Sequence, residues 1–254
     1  MSRKSKEEHL KRTPVKKVLI SKLFLSPLFT DMFNLFFDYE EIFIRWFFNQ
    51  LYKPIAYELS GRIKDKGSLL DVGCGTGCLL FEIHKLNKEA NLIGIDISRS
   101  MIRKAKKKLK KLGYENINFF VNKPTKIPFK DNAFSNVTST FSFHLWSEPV
   151  IMLNEIHRVL EKNGEFTIYD FNGDDKYEEE NLRYIESCVK EAPLLVRKIV
   201  TEDARWDYTL LGVYDPNELN EIVEKSLFKT ADIKVRSICD SGNNFLIEAT
   251  LIKE

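Results

Sequence analysis

The sequence has few of the residues that mark disulfide-bonded and metal-binding proteins. Its four cysteines, Cys74, Cys78, Cys188 and Cys239, include no Cys-x-x-Cys pair and no Cys/His group at the spacing of zinc ligands. We therefore expect free thiols, a cytoplasmic location and no bound metal.

Long apolar stretches are also missing. No segment approaches the ~20 consecutive apolar residues that a membrane-spanning helix needs. Apolar residues 18–29 follow a basic N-terminus, but Lys22 interrupts them and no small-residue cleavage site follows, so we expect no signal peptide. The basic residues before Val18 leave contact between the N-terminus and an anionic membrane open as a minor alternative.

An excess of charge of either sign is absent as well. The chain has 39 basic and 37 acidic residues, a net charge of +2, so composition gives no reason to expect a nucleic-acid partner. Only 11 glycines and 8 prolines occur, and no low-complexity linker is present. With 254 residues, 43% of them hydrophobic, the chain can form one α/β domain with added helices.

The first quarter of the chain is rich in aromatic residues. Residues 15–62 are predicted to be helical, and Pro54 is predicted to begin a last helix that ends near Ser60. Two interpretations are open for this region. It can cover a ligand cleft as a lid, with Phe36, Tyr39, Trp46 and Tyr52 facing inward, or it can form a plain packing layer.

From residue 67 onward, apolar strands alternate with helices. This alternation predicts a parallel sheet with helices on both faces. Two further strands, joined by a polar turn, predict a terminal hairpin, and Asp215-Pro216-Asn217-Glu218 is typical of a helix start. The predicted strands are 69–72, 92–96, 117–121, 134–140, 165–171, 233–238 and 245–251; the predicted helices include 77–86, 149–161 and 177–199.

A glycine-rich loop follows the first predicted strand and gives the strongest functional signal. The segment reads Leu69-Leu70-Asp71-Val72-Gly73-Cys74-Gly75-Thr76-Gly77. Its G-x-G-x-G spacing differs from the G-x-G-x-x-G of dinucleotide sites, and Asp71 would repel a pyrophosphate. An acid beside the loop suits a ligand that carries an amine and a sulfonium. Asp96 ends the second predicted strand, where a carboxylate can accept hydrogen bonds from both ribose hydroxyls.

On these residues the chain resembles the class I S-adenosylmethionine-dependent methyltransferases, in the small-molecule group that includes the ubiquinone/menaquinone-biosynthesis enzymes. The resemblance covers roughly residues 50–171 and extends to three segments beyond the loop. They are Ile127-Pro128-Phe129-Lys130-Asp131-Asn132-Ala133-Phe134, Ser142-Phe143-His144-Leu145-Trp146-Ser147-Glu148-Pro149 and Leu153-Asn154-Glu155-Ile156-His157-Arg158-Val159-Leu160.

The resemblance implies a Rossmann-like, seven-stranded, mostly parallel sheet with an antiparallel terminal hairpin. We expect residues 1–62 to form an N-terminal helical extension or lid, and residues 63–254 to form the methyltransferase domain. S-adenosylmethionine is the implied cofactor. The resemblance places the backbone of Gly73, Cys74 and Gly75 along its methionine part, Asp71 at its amino group, Asp96 at the ribose, Ile97 against adenine, and Thr140 and Phe141 near the sulfonium.

Two positions depart from the family pattern. Members often have Gly-Asp-Ala after the third strand, whereas this chain has Asn122-Lys123-Pro124. Lys123 cannot accept a hydrogen bond from the adenine amine, so Asn122 or backbone atoms would have to do so. The usual Phe-Asp of the fourth strand is Phe134-Ser135, a change that we expect to affect local structure only.

The resemblance implies a small-molecule acceptor, which we expect to be apolar or aromatic, and two other acceptor classes can be argued against. The fourth strand is followed by Thr140-Phe141-Ser142-Phe143, not by the Asn/Asp-Pro-Pro-Tyr/Phe of base and glutamine methylases, and no Pro-Cys pair supports cytosine-C5 methylation. His144 is the candidate general base, with a packing role as its alternative. A catalytically degenerate binding protein with the same fold is the alternative function.

Overall fold

The computed structural model describes residues 41–64, 66–123, 125–177, 183, 213–236 and 246–254. Five α-helices and seven strands lie in these ranges. In chain order they are α1 (Glu41–Arg62), β1 (Ser68–Val72), α2 (Cys78–Leu86), β2 (Asn91–Asp96), α3 (Arg99–Leu112), β3 (Ile117–Val121), β4 (Phe134–Thr140), α4 (Pro149–Val159), β5 (Leu160–Phe171), α5 (Pro216–Glu224), β6 (Asp232–Arg236) and β7 (Leu246–Ile252).

The seven strands form one sheet in the order β3-β2-β1-β4-β5-β7-β6. The first five strands of the chain pair in parallel, and β7 is antiparallel to both β5 and β6. The predicted fold class is therefore confirmed. Chain order reverses between β1 and β4, and a crevice for ligands forms at such a point, outside the carboxyl ends of the strands.

Side chains alternate between the two faces of the sheet and build two apolar cores. Leu69 of β1 contributes to the core under α1, α2 and α3, whereas its neighbour Leu70 contributes to the core under α4 and α5. Both leucines are fully buried. The sheet is thus the middle of three layers, as alternating strands and helices predict.

Helix α1 corrects the prediction that Pro54 begins a helix. The helix runs without interruption from Glu41 to Arg62, with Pro54 inside it. A proline in a helix interior costs about 3 kcal/mol, because it removes a backbone hydrogen bond and clashes with the preceding turn. Leu51 and Ile55 lie on either side of the proline and are both buried in the core. Their burial, at about 1.5–3 kcal/mol for each side chain, outweighs that cost.

A network of ion pairs joins the end of α1 to the sheet. Arg62 donates to Glu165 at 2.7 Å and to Glu248 at 2.6 Å. Arg236 makes two hydrogen bonds of 2.7 Å to Glu58. Glu248 is only 4% exposed, so its charge is stable only because both arginines face it. The network fixes where α1 lies on the sheet.

The boundary between α4 and β5 also differs from the prediction. The helix ends at Val159, and β5 begins at Leu160 instead of residue 165. The added residues are held by backbone pairing: Leu160 pairs with Phe134, and Asn163 donates to the carbonyl of Lys253 at 2.8 Å. These partners are distant in sequence, so local periodicity could not reveal them.

Other predicted features are confirmed or fall outside the described residues. Asp215 and Glu218 form the capping box of α5, as predicted. Ser98 caps α3 by accepting from the N–H of Met101. Ser135, where the family usually has Asp, forms hydrogen bonds with Ser68 at the start of β4. Most of the predicted helix 177–199 lies outside the described residues, as do Phe36, Tyr39 and the side chain of Trp46. No helix of the described part is long and apolar enough to cross a membrane.

Candidate functional site

The loop between β1 and α2 needs its glycines for two different reasons. Gly73, Gly75 and Gly77 all have positive φ, at 83°, 53° and 77°. A Cβ on Gly73 would lie 1.9 Å from the hydroxyl of Ser142, so the backbone passes too close to the residues after β4 for any side chain. A Cβ on Gly75 would meet no atom within 4 Å. The loop is therefore closed at Gly73 and open at Gly75.

Asp96 ties this loop to the end of β2. One oxygen of its carboxylate accepts from the N–H of Gly75 at 2.9 Å, and the other accepts from the N–H of Ser98 at 2.8 Å. Burial raises the pKa of Asp96, while these two hydrogen bonds act against the rise. Each carboxylate oxygen has a second acceptor position left. Asp96 can therefore hold the loop and accept two further hydroxyl donors.

Asp71 is the least satisfied acid of the site. It is 2% exposed, and its Oδ1 atom has no hydrogen-bond partner. Burial, followed by the nearby charge of Asp96, raises the pKa of Asp71 to about 8. A buried, unpartnered carboxyl group is costly unless a donor or a cation reaches it. The pair of acids favours a positively charged ligand.

The ends of β2 and β3 carry the residues predicted to contact adenine. Ile97 is 43% exposed, although it is a large apolar residue beside the crevice. Asn122 is buried, and its N–H donates to the carbonyl of Asp96 at 2.8 Å. Lys123 is exposed and pairs through its backbone with Lys126. Asn122 is thus brought next to Asp96, whereas the side chain of Lys123 is in solvent.

The end of β4 forms an aromatic floor beside the loop, made of Tyr52, Phe141 and Phe171. Phe141 has φ of 54°, a conformation that is strained for a bulky residue. Its N–H donates to the carbonyl of Tyr169 at 2.8 Å, and its ring stacks on Phe171 with 4.8 Å between centroids. Tyr52 of α1 meets Phe141 edge-on at 5.9 Å. The preceding Thr140 is buried with an unpartnered hydroxyl.

Tyr52 also shows that α1 reaches the site. Burial raises the pKa of its phenol well above the ordinary value, and the charges that add to the rise include Cys78, Asp71 and Asp96. These groups belong to the glycine loop, the first turn of α2 and the ends of β1 and β2. Tyr52, at the middle of α1, therefore lies beside the carboxyl ends of the strands.

His144 follows β4 and makes a contact that sequence reasoning missed. Its Nδ1 lies 2.7 Å from Oδ1 of Asp170, at the end of β5, and its backbone N–H donates to Oδ2 at 2.9 Å. Asp170 also accepts from the N–H of Phe171 at 2.8 Å. The one sequence signal was a single acid at the end of an apolar strand, the same pattern that identified Asp96.

These residues fit S-adenosylmethionine. The unpartnered oxygen of Asp71 suits an ammonium group, the spare acceptor positions of Asp96 suit ribose hydroxyls, and exposed Ile97 suits a flat aromatic base. The open space beside Gly75 lets a ligand approach the backbone. Within the described ranges, no three His, Cys, Asp or Glu residues are placed to hold a metal ion.

Comparisons with curated proteins find quinone methyltransferases over part of the chain. The ubiquinone/menaquinone biosynthesis C-methyltransferase UbiE of Wigglesworthia glossinidia brevipalpis is 32% identical over 106 residues, which cover 41% of this chain and 42% of the relative. The demethylmenaquinone methyltransferase of Lactococcus lactis is 34% identical over 98 residues, which cover 38% of this chain and 39% of the relative. The chain thus spans about two fifths of the length of these relatives.

Solved structures share the fold over a greater length. A SAM-dependent methyltransferase from Aquifex aeolicus is 21% identical, with a TM-score of 0.58, and the match covers 81% of this chain and 92% of that chain. The plantazolicin methyltransferase BamL, solved with SAH, is 16% identical with a TM-score of 0.66 and covers 94% and 96%. The family described as "Methyltransferase domain" matches residues 63–226, more than half of the chain. The protein therefore belongs to this family of S-adenosylmethionine-dependent methyltransferase domains, as its glycine loop and paired acids predicted.

Proposed function

We propose that the protein binds S-adenosylmethionine in the crevice between β1 and β4 and transfers its methyl group to a small-molecule acceptor. The observation that carries the proposal is the buried carboxyl group of Asp71, which has an unpartnered oxygen beside a glycine loop fixed by Asp96. A cationic ligand relieves this unfavourable burial.

We propose one contact for each residue that the family resemblance singled out. Asp71 holds the ammonium group, and Asp96 accepts from the ribose hydroxyls. Ile97 lies against adenine, and Asn122 contacts the edge of the base. The backbone of Gly73, Cys74 and Gly75 lines the methionine part, and Thr140 and Phe141 lie near the sulfonium.

The bound cofactor supplies an electrophilic methyl group on a cationic sulfur. The chain contributes by holding the acceptor and the methyl group in the reactive geometry. Proximity and orientation account for much of the catalysis of such a displacement. Strained Phe141 is fixed by its bond to Tyr169 and its stacking on Phe171. This rigid floor orients an acceptor without any large rearrangement of the strands.

The acceptor is proposed to be small and apolar or aromatic. Its support is the aromatic floor of Tyr52, Phe141 and Phe171, together with the names of the curated relatives, which act in quinone biosynthesis. We also propose that residues 1–62 are an extension that closes over the crevice, with residues 63–254 as the methyltransferase domain. A cytoplasmic location is supported by the free thiols of Cys74 and Cys78.

Isothermal titration with S-adenosylmethionine and with its demethylated product tests the proposal. Both ligands are expected to bind with micromolar affinity or tighter and to raise the melting temperature. The absence of heat and of a thermal shift with both ligands would overturn it. Binding without methylation of any molecule in a metabolite extract would favour the alternative, a degenerate binding protein with this fold.

A further inference from the structure

The contact between His144 and Asp170 determines which nitrogen of the imidazole ring carries the hydrogen. The carboxylate of Asp170 accepts two backbone hydrogen bonds, from His144 and Phe171, and also faces Nδ1 of the ring. Both carboxyl oxygens of Asp170 thus act as acceptors, and the ring faces one of them. Nδ1 therefore carries a hydrogen and donates it, and Nε2 has a free lone pair.

The other ring nitrogen of His144, Nε2, has no hydrogen-bond partner among the described residues. The side chain is only 4% exposed, so the ring is buried beside the site and not in bulk solvent. Its ring centroid lies 5.9 Å from that of Phe171, which stacks on Phe141. Two residues before His144, the hydroxyl of Ser142 fills the space where a Cβ of Gly73 would be. The histidine thus belongs to the segment that adjoins both the glycine loop and the aromatic floor.

We infer that His144 is the general base of the reaction, that Asp170 is its positioning residue, and that the acceptor is an aromatic hydroxy compound. This inference rests on the proposed function. It extends that function because methyl transfer needs a base only when the acceptor loses a proton. Tyr52, Phe141 and Phe171 make the surroundings of this segment aromatic, which suits an acceptor with a flat ring.

Nε2 of His144 takes the proton of the acceptor hydroxyl, and the O–H electron pair stays on the acceptor oxygen. That oxygen attacks the methyl carbon, and the bond between methyl and sulfur breaks with its electron pair left on sulfur. The products are an aryl methyl ether, a neutral thioether and an imidazolium beside Asp170. The imidazolium then returns its proton to water.

The test combines binding with methyl transfer from tritiated S-adenosylmethionine. The acceptors are phenol, catechol and hydroquinone, a small-molecule extract as a source of larger aromatic hydroxy compounds, and pyridine and trimethylamine as acceptors that lose no proton. The variants are His144→Asn, Asp170→Asn and Asp170→Glu. His157→Asn is the matched control, because His157 lies on α4 against Phe228 and outside the site.

The expected result is labelling of hydroxy compounds and not of pyridine or trimethylamine. His144→Asn should lower kcat by about 10²–10⁴-fold, the usual contribution of a general base. Asp170→Asn should lower kcat by about tenfold or more through loss of the correct tautomer, and Asp170→Glu should restore part of it. Cofactor affinity should stay within about twofold in these variants, since none of them changes a cofactor contact.

The pH profile separates a base from a packing residue. The rate of His144→Asn should rise steeply toward pH 10, because phenols with pKa values near ~10 then ionise without help. Wild-type rates in His144→Asn, a low rate that does not rise with pH, or labelling of only the proton-free acceptors would each overturn the inference. Cofactor binding with no labelled acceptor would also overturn it, whereas loss of cofactor binding in the wild type would overturn the proposed function itself.

Discussion

The N–H of Gly75 donates to the carboxylate of Asp96 at 2.9 Å. The open position of the glycine loop and the acid that ends β2 are therefore one structural unit. The second oxygen of Asp96 holds the N–H of Ser98, at the cap of α3. One side chain thus positions the start of a helix and a loop while keeping acceptor positions for a ligand.

Asp96→Ala should weaken cofactor binding and folding together. Loss of charge-assisted bonds to the ribose should raise the Kd by at least about tenfold. The two N–H groups lose their acceptor, which should cost about 1–2 kcal/mol of unfolding free energy, since water reaches this half-buried site. Titration calorimetry and urea denaturation measure the two effects. Asp96→Asn keeps one acceptor oxygen and should fold better than the alanine variant, and unchanged affinity in both variants would mean that another residue holds the ribose.

Asp71 should make stability depend on pH. Because its folded pKa is raised to about 8, the folded state retains a proton that the unfolded state loses near pH ~4. The contribution of Asp71 to the free energy of unfolding is greatest below pH ~4. It is lost as the pH rises toward about 8, at up to ~1.4 kcal/mol for each pH unit. Asp71→Asn should remove this pH dependence of the free energy of unfolding. The variant should be more stable than the wild type at pH 8, yet bind the cofactor more weakly. Urea denaturation at pH 5.5 and pH 8 measures the free energy of unfolding of both proteins.

Glu115→Gln is the matched control for the Asp71 substitution, because Glu115 is an exposed acid just before β3. It should follow the pH dependence of the wild type. If Asp71→Asn also keeps that dependence, the acid is ionised in the free protein, and a donor must already reach it.

Gly75→Ala and Gly113→Ala form a matched pair that separates backbone strain from ligand contact. Both glycines have positive φ, 53° and 65°, and in neither place would a Cβ meet an atom within 4 Å. Each substitution should cost about 1–2 kcal/mol of stability, the cost of a left-handed alanine. Only Gly75→Ala should weaken cofactor binding, by about tenfold or more. Equal affinity in the two variants would show that no ligand approaches the loop at Gly75.

The sequence was sufficient to predict those parts of the fold and the site whose signal is local or belongs to a known family pattern. Alternating elements gave the seven strands, and the glycine loop with Asp71 and Asp96 gave the cofactor class. The pair of His144 and Asp170 was out of reach because it depends on the register of β4 against β5, in which Thr140 pairs with Tyr169. The close approach of Ser142 to Gly73 depends in the same way on the register of β1 against β4, in which Asp71 pairs with Thr138. Pro54 was misjudged because burial on both sides of it overrides its local preference.

The N-terminal part of α1, up to and including Tyr52, should close over the bound cofactor. Its residue Tyr52 lies edge-on to Phe141 and beside the two acids, so a ligand in the crevice touches the helix or lies directly below it. Ligand contact should then suppress opening of this segment, because binding favours the closed state by mass action. Trypsin can cut α1 at Arg45 and Lys53, and the demethylated cofactor should slow both cuts several-fold.

Binding also stabilises the whole protein, so the comparison is with cuts at Lys110 and Lys111, exposed residues in the last turn of α3. Protection of α1 beyond that of α3 supports a lid, whereas equal protection of both helices would identify α1 as a static packing layer.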